Sequence, residues 1–159
     1  AVILCHGYGG DGKDISLLAS YWRTYLPETL FICPDAPEKC VVSSSGFQWF
    51  DLMDQTKEQI LIKSLVAEIK LNKLIDEVME KNELQGEQIA IGGFSQGCMI
   101  SLQTAIKRKK KINSIIGYSG KIIELISEGN TCEDITRFHE TIQKAMKKQK
   151  LKEFCVTTY

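Results

Sequence analysis

The chain has 159 residues, of which 43% are hydrophobic and 25% are charged, and its 20 basic and 20 acidic side chains give a formal net charge of zero at pH 7. This length predicts one domain, and the composition is typical of a globular protein rather than a disordered or fibrous one. Proteins that mainly bind nucleic acid carry a basic face, so the neutral balance argues against that class. No apolar run reaches the ~20 residues that span a bilayer, and stable membrane insertion is therefore not expected.

The chain begins at Ala1 with a strand-like apolar run, from which we infer that residues before it have been lost. Its cysteines form no CxxC pair and no compact framework; they are Cys5, Cys33, Cys40, Cys98, Cys132 and Cys155. This pattern is typical of cysteines that serve as small buried hydrophobic residues in a reducing compartment. It predicts a cytoplasmic location for the protein. Two histidines and scattered cysteines lack the spacing of zinc ligands, so no metal and no cofactor are expected.

Short apolar runs alternate with long amphipathic ones from the start of the chain. Ala1–Cys5 is continuously apolar, as expected of a strand that is covered on both faces. Asp14 is expected to cap a helix that runs to about Tyr25 and ends at Pro27. Leu30–Cys33 is the next predicted strand, and residues 34–46 are predicted to be irregular because they contain two prolines and a serine-rich stretch.

Thr56 is predicted to open the longest helix. Thr56 and Gln59 have the spacing of a capping box, in which each side chain bonds to a backbone N–H that the helix leaves unpaired. One apolar stripe is expected to face the core. Its members are Ile62, Leu65, Val66, Ile69, Leu74, Ile75 and Val78. Gly86 is expected to end this segment.

The second half of the chain continues the alternation. The predicted elements are a strand at Gln88–Gly92, a helix at Gln96–Lys107, a strand at Lys111–Tyr118, a helix at Glu133–Lys148 and a strand at Glu153–Thr158. This order predicts a three-layer α/β fold, a mostly parallel sheet with helices on both faces. Residues 1–159 show no linker or repeat and read as one domain.

The strongest chemical signal is the sequence Gly93-Phe94-Ser95-Gln96-Gly97. It matches G-x-S-x-G at a predicted strand-to-helix junction, where the chain must turn sharply and place the serine hydroxyl in the open. Glycine on both sides avoids Cβ clashes with the neighbouring strand and helix. The backbone N–H of Gln96 then points to where an oxyanion would form. The alternative is that Ser95 only caps the helix.

A glycine-rich loop follows the first strand, with the sequence His6-Gly7-Tyr8-Gly9-Gly10. In hydrolases with such a serine turn, a loop after an earlier strand donates a second oxyanion N–H, and Tyr8 is the expected donor. His6 is expected to brace this loop through hydrogen bonds, the alternative being a catalytic proton shuttle. The glycines are not followed by the Lys-Ser/Thr pair of a phosphate-binding P-loop.

Five segments resemble the phospholipase/carboxylesterase branch of the α/β-hydrolases, which includes acyl-protein thioesterases. They are ILCHGYGGDG (3–12), CPDAP (33–37), QWFD (48–51), GGFSQG (92–97) and IIGYSG (115–120). The resemblance implies an α/β-hydrolase fold and a serine esterase or thioesterase acting on small-molecule ester or acyl substrates. It implies Ser95 as the nucleophile, and Tyr8 and Gln96 as the oxyanion hole. It also implies that Trp49 and Phe50 wall the acyl site, with ordinary core packing as the alternative.

Two parts of the family pattern are not found. In the family, the carboxylate that orients the catalytic histidine follows a strand after the IIGYSG segment. Here a strand–loop unit of roughly 15–20 residues is missing near 121–132. Asp134 is the remaining candidate acid, although a negative charge at a helix N-terminus has a simpler role. The family histidine follows the last strand, whereas this chain has only His6 and His139, and His139 reads as a solvated helix residue.

Two hypotheses therefore remain, from different functional classes. The first is a serine hydrolase of carboxylic esters or thioesters; the second is a catalytically inactive remnant or binding scaffold without the triad acid and histidine. A domain incomplete at both ends and near 121–132 would expose strand edges, so we expect the chain to self-associate through these edges. The basic run 107–111 reads as a solvated helix end, with binding to anionic lipid or nucleic acid as the alternative.

Overall fold

The computed structural model describes residues 1–53 and 55–123. The strands in these ranges are β1 (Val2–Cys5), β2 (Phe31–Ile32), β3 (Glu38–Lys39), β4 (Phe47–Gln48), β5 (Ala90–Phe94) and β6 (Ser114–Tyr118). The helices are α1 (Gly12–Arg23), α2 (Lys57–Lys81) and α3 (Gln96–Lys107), with a 3-10 turn at Gly86–Gln88. None of these helices has both the length and the apolar composition needed to cross a membrane.

The main sheet of the described residues has four parallel strands in the order β2-β1-β5-β6. Cys5 lies beside Gly93, and Phe94 lies beside Tyr118, so the carboxyl ends of three strands share one edge. Parallel neighbours need a crossover connection, and α1 and α3 supply two of them. This arrangement confirms the mostly parallel α/β sheet that the sequence predicts.

The sheet is covered on both faces. Val2 and Leu4 of β1 pack with Ala19 of α1 on one side. The alternating residues Ile3 and Cys5 belong to the larger cluster on the other side. That cluster includes Leu71 and Ile75 of α2 and Ile100 of α3. Because successive side chains of a strand point to opposite faces, the continuous apolar run at the start of the chain serves both layers, and the three-layer prediction is confirmed.

Helix α1 begins one turn earlier than the cap residue predicted from the sequence. Asp11, not Asp14, is the N-cap: its Oδ1 accepts a hydrogen bond from the Asp14 N–H at 2.8 Å. Asp14 lies instead in the first turn, where its charge favours the helix N-terminus. The helix ends at Arg23, before Pro27, since the Thr24 N–H already bonds back to the last turn.

Helix α2 has the predicted start but buries a different face. The capping box between Thr56 and Gln59 is present, with bonds of 2.8 and 3.3 Å. Its buried face carries Ser64, Ala67, Leu71, Ile75 and Val78. The predicted stripe was wrong in its first half, where Ile62, Leu65, Val66 and Ile69 are exposed. Ser64 lies inside because Gln103 of α3 bonds to its hydroxyl, which satisfies the buried polar group.

The remaining boundaries differ in smaller ways. Helix α3 has the predicted bounds, Gln96–Lys107. Strand β5 begins at Ala90 rather than at Gln88, because a 3-10 turn occupies Gly86–Gln88. Strand β6 begins at Ser114 rather than at Lys111, because its pairing with β5 begins there. The antiparallel pair β3–β4 lies partly in the stretch predicted to be irregular. The predicted elements at 133–148 and 153–158 lie outside the described residues.

Candidate active site

Ser95 alone makes the turn between β5 and α3. Its φ is 51° and its ψ is −115°, a left-handed backbone conformation that costs energy for a residue with a side chain. The Ser95 N–H donates to the Tyr118 carbonyl at 2.8 Å, which ties the turn to the end of β6. The Ser95 side chain makes no capping bond to α3. The turn therefore has the sharp geometry of a nucleophile elbow, and simple helix capping does not explain this serine.

Two glycines make this turn sterically possible. A Cβ on Gly93 would lie 2.5 Å from the Cys5 carbonyl oxygen and 2.6 Å from the Gly97 carbonyl carbon. A Cβ on Gly97 would overlap the same Cys5 carbonyl oxygen. The start of α3 can therefore approach β1 closely only because both positions lack a side chain.

The loop after β1 lies against this turn and is fixed by β4. The Gly9 N–H donates to the Phe47 carbonyl at 2.9 Å, and the Phe47 N–H donates to the Gly10 carbonyl at 2.8 Å. A Cβ on Gly7 would lie 3.6 Å from the Ser95 Cβ. In the described part of the chain, the N–H groups of Tyr8 and Gln96 donate to no other residue. Two backbone donors thus remain available on the two segments that meet at Ser95.

His6 braces the base of this loop. Its ring Nε2 accepts from the Ala36 N–H at 2.9 Å, and its Nδ1 lies 2.7 Å from the Gly7 carbonyl oxygen. Together these contacts select the neutral ring with the proton on Nδ1, since Nε2 must accept and the carbonyl cannot donate. The side chain is buried. Both ring nitrogens are therefore used for structure, which supports the bracing interpretation over a proton shuttle.

The Gln96 side chain links the serine turn to the segment that contains Trp49 and Phe50. Its Oε1 accepts from the Trp49 N–H at 2.9 Å, and its Nε2 donates to the Phe50 carbonyl at 2.6 Å. The amide is fully buried, so both bonds replace contacts with water. Sequence reasoning used only the Gln96 backbone and missed this side-chain role.

Trp49 and Phe50 belong to the main core cluster, with exposed fractions of 3% and 0%. The Trp49 Nε1–H also donates to the His6 carbonyl at 3.0 Å. These positions support the core-packing alternative, and their role as walls of an acyl site stays a prediction. The aromatic side chains that are exposed beside Ser95 are Phe94 and Tyr118, each 52% exposed. Both follow from the sequence pattern, since they lie at the carboxyl ends of neighbouring strands, and this placement could have predicted them as residues near the site.

Asp51 is a charged residue that acts on the Tyr8 phenol and that the sequence reasoning did not single out. Its Oδ1 accepts from the Met53 N–H at 2.9 Å, and its Oδ2 lies 3.3 Å from the Lys63 Nζ. The Met53 N–H, followed by Lys63, holds the pKa of this carboxyl below its usual value. Burial, followed by the Cys40 thiol and Asp51, raises the pKa of the Tyr8 phenol, so that hydroxyl stays protonated at neutral pH.

The thiols near the serine turn are not competing nucleophiles. Burial raises the pKa of Cys5 to about 12, and burial likewise raises the pKa of Cys98, which follows Ser95 by one helical turn. A thiol is nucleophilic as its thiolate, and these groups are protonated at neutral pH. Cys5, Cys33, Cys40 and Cys98 are all free.

The described residues therefore contain a nucleophile candidate and two candidate oxyanion donors without a general base. His6 is the one histidine in these ranges, and its ring is engaged in bracing. Asp134 and His139 lie outside the described residues. The site can bind and polarise a carbonyl group, and proton removal from Ser95 requires a group beyond it.

A nucleophile elbow on a parallel sheet with an adjacent glycine-rich loop is the arrangement of an α/β-hydrolase. The phospholipase/carboxylesterase family model matches residues 1–153, and the chain belongs to this family. This finding confirms the resemblance that the sequence motifs carry.

Curated relatives include acyl-protein thioesterases. The chain is 32% identical over 127 residues to acyl-protein thioesterase 1 of Schizosaccharomyces pombe, with 75% of this chain and 54% of that protein covered. It is also 32% identical over 126 residues to acyl-protein thioesterase 1 homolog 1 of Dictyostelium discoideum, with 75% and 56% covered. The chain thus spans little more than half the length of these relatives.

Solved structures agree on the fold. Esterase PE8 has a TM-score of 0.72 and 33% identity, with 77% of this chain and 58% of that chain covered. Arabidopsis thaliana SOBER1 has a TM-score of 0.63 at 19% identity, with 86% and 66% covered, which supports the fold alone.

Proposed function

We propose that this chain is a serine hydrolase that cleaves carboxylic esters or thioesters with Ser95 as the nucleophile. The observation that supports this most directly is the left-handed backbone of Ser95 between two glycines at the carboxyl edge of the sheet. In the reaction, Ser95 Oγ bonds to the acyl carbon and the carbonyl oxygen becomes an oxyanion. The carbonyl then re-forms as the bond to the alcohol or thiol breaks, and the proton lost by Ser95 leaves on that group. Water then hydrolyses the acyl-serine and restores the hydroxyl.

The oxyanion is stabilised in this proposal by the N–H groups of Tyr8 and Gln96. Bonds to β4 hold the Tyr8 loop in place, and the Gln96 side chain holds the start of α3, so neither donor needs to reorganise during the reaction. Preorganised donors of this kind commonly contribute about 10²–10³ in rate each. Phe94 and Tyr118 offer exposed aromatic surface beside Ser95 for the acyl or leaving group.

The proposed setting follows from the same residues. The free thiols suit a reducing compartment, so we place the protein in the cytoplasm, with a small ester or acyl compound as its substrate. Strand β6 is the last strand of the sheet in residues 1–53 and 55–123. No strand of these ranges pairs with its outer edge, which supports self-association through strand pairing as part of this proposal.

A catalytically inactive binding scaffold is the second candidate. It is favoured by His6, whose two ring nitrogens are both engaged away from Ser95. An oxyanion hole and binding contacts without a base retain only roughly 10³–10⁴ of rate over water. Such a scaffold would bind acyl groups and turn them over no faster than this residual rate.

Labelling with a fluorophosphonate probe and hydrolysis of p-nitrophenyl acetate test the two candidates. The variants are Ser95→Ala and, as a matched control, Ser16→Ala in α1, a half-buried serine whose hydroxyl donates to the Lys13 carbonyl. The hydrolase proposal expects labelling and turnover that Ser95→Ala abolishes and Ser16→Ala leaves unchanged. Turnover near background that is identical in all three proteins would contradict the hydrolase and support the scaffold, provided circular dichroism shows all three folded.

A further inference from the structure

The first half of α2 is apolar on two opposite faces. The inner face carries Ala67, Leu71 and Ile75, which are fully buried in the main core. The opposite face carries four aliphatic residues that are exposed, which we call the outer stripe. These are Ile62 (64% exposed), Leu65 (38%), Val66 (48%) and Ile69 (69%).

The spacing of the outer stripe makes it one continuous surface. Residues at i, i+3, i+4 and i+7 lie on one side of a helix, within an arc of about 100°. A helix that is apolar all round is normally buried on both sides, and exposed apolar patches of a few hundred Å² mark interaction sites. The outer stripe therefore has the properties of a docking surface.

The outer stripe is also symmetric about its own centre, between Leu65 and Val66. Ile62 and Ile69 are equally distant from that centre. An acidic residue precedes the stripe by four positions and a basic residue follows it by four: these are Glu58 and Lys73. At this spacing both lie on the side of the helix that carries the stripe.

We propose that the outer stripe binds a second copy of this chain, with the two α2 helices packed antiparallel about a two-fold axis. In this arrangement Ile62 of one copy meets Ile69 of the other, and the charge signs match because Glu58 meets Lys73. Every contact occurs twice, as an isologous interface requires. Lys73 also lies 3.6 Å from Glu77 within its own helix, with 77% of its side chain exposed and accessible to a partner.

The charge arrangement favours a second copy over other occupants. A stripe that is acidic at one end and basic at the other is complementary to its own reverse. A membrane surface would instead select an apolar face flanked by basic residues on both sides. The outer stripe offers four apolar residues, against the roughly 20–30 residues a side of a stable complex, so we expect a weak dimer with a dissociation constant of roughly 1–100 µM. This inference does not depend on the hydrolase proposal.

Sedimentation equilibrium over a range of concentrations tests the apolar part. We expect a reversible dimer for the wild type and a dissociation constant about tenfold or more higher for Ile69→Glu, because a charge enters the interface twice. Leu17→Glu is the matched control, since Leu17 is 74% exposed on α1, and it should leave the dimer unchanged. A wild type that is monomeric at all concentrations, or equal weakening by both variants, would overturn the proposal.

Charge exchange tests the antiparallel arrangement itself. Glu58→Lys alone and Lys73→Glu alone each place like charges together and should weaken the dimer several-fold. An equimolar mixture of these two variants should form a heterodimer with wild-type affinity, because opposite charges then meet at both ends. A folding defect or pairing through β6 would not be repaired by mixing, so failure of the mixture to associate would reject the arrangement.

Discussion

At the scale of single residues, Gln96 has two separate tasks. Its backbone N–H begins α3 beside Ser95, while its side chain bonds to the Trp49 N–H and the Phe50 carbonyl. The motif predicts the first task because any residue after the serine supplies an N–H there. The second depends on this side chain alone. The same residue therefore connects the proposed chemistry to the core.

Replacing Gln96 by leucine should destabilise the protein. The change leaves the Trp49 N–H and the Phe50 carbonyl buried without partners, and we expect a loss of roughly 2–5 kcal/mol in the free energy of unfolding. Urea denaturation followed by circular dichroism measures it. Gln88→Leu is the control, because Gln88 is exposed and its side-chain bond, from the Gln85 N–H, can be replaced by water. Equal losses in the two variants would show that the buried amide bonds add nothing.

At the scale of secondary-structure elements, local signals set the helix ends better than the helix faces. The capping box at Thr56 and Gln59 was predicted and is present, because it needs only residues three apart. The face of α2 was predicted wrongly in its first half, where apolar residues occur on both sides and the periodicity does not select one. Packing of Ser64 against Gln103 of α3 selects the inner face.

The two acids at the start of α1 should differ in their effect on stability. Asp11→Ala removes the capping bond to the Asp14 N–H and should cost about 1 kcal/mol. Asp14→Ala removes only a charge in the first turn and should cost less, about 0.5 kcal/mol. Thermal denaturation at low salt measures both. Adding 1 M salt should remove most of the Asp14 effect and leave much of the Asp11 effect; the reverse order would restore Asp14 as the cap.

At the scale of the whole molecule, the sheet separates two apolar layers of unequal size. Neighbouring residues of β1 belong to different layers, Ile3 to the cluster with α2 and α3, and Leu4 to the cluster with α1. Their exposed fractions are 0% and 1%. The site lies at the edge of this sheet, where the ends of β1, β5 and β6 meet. Covering both faces is therefore what fixes the strand ends that carry Ser95 and its neighbours.

Truncating either of these residues should cost a similar amount. Ile3→Ala and Leu4→Ala each remove a fully buried side chain, and we expect losses of about 2–5 kcal/mol in the free energy of unfolding. Leu17→Ala, at an exposed position of α1, should change it by less than about 0.5 kcal/mol. Guanidinium denaturation gives the comparison. A large loss for Ile3 with none for Leu4 would mean that the α1 layer does not stabilise the sheet.

The sequence by itself determined the features that depend on a few consecutive residues. The sharp turn at Ser95, the bounds of α3 and the capping box at Thr56 all follow from backbone sterics and short-range bonds. The tertiary structure decided what depends on residues far apart in the chain. His6 bonds to Ala36, which lies 30 positions further along the chain, and Gln96 bonds to Trp49, which lies 47 positions before it. The position of β4 against the glycine-rich loop after β1 and the choice of the inner face of α2 also depend on distant residues. Such contacts form only after the sheet has brought distant segments together, and no local pattern contains them.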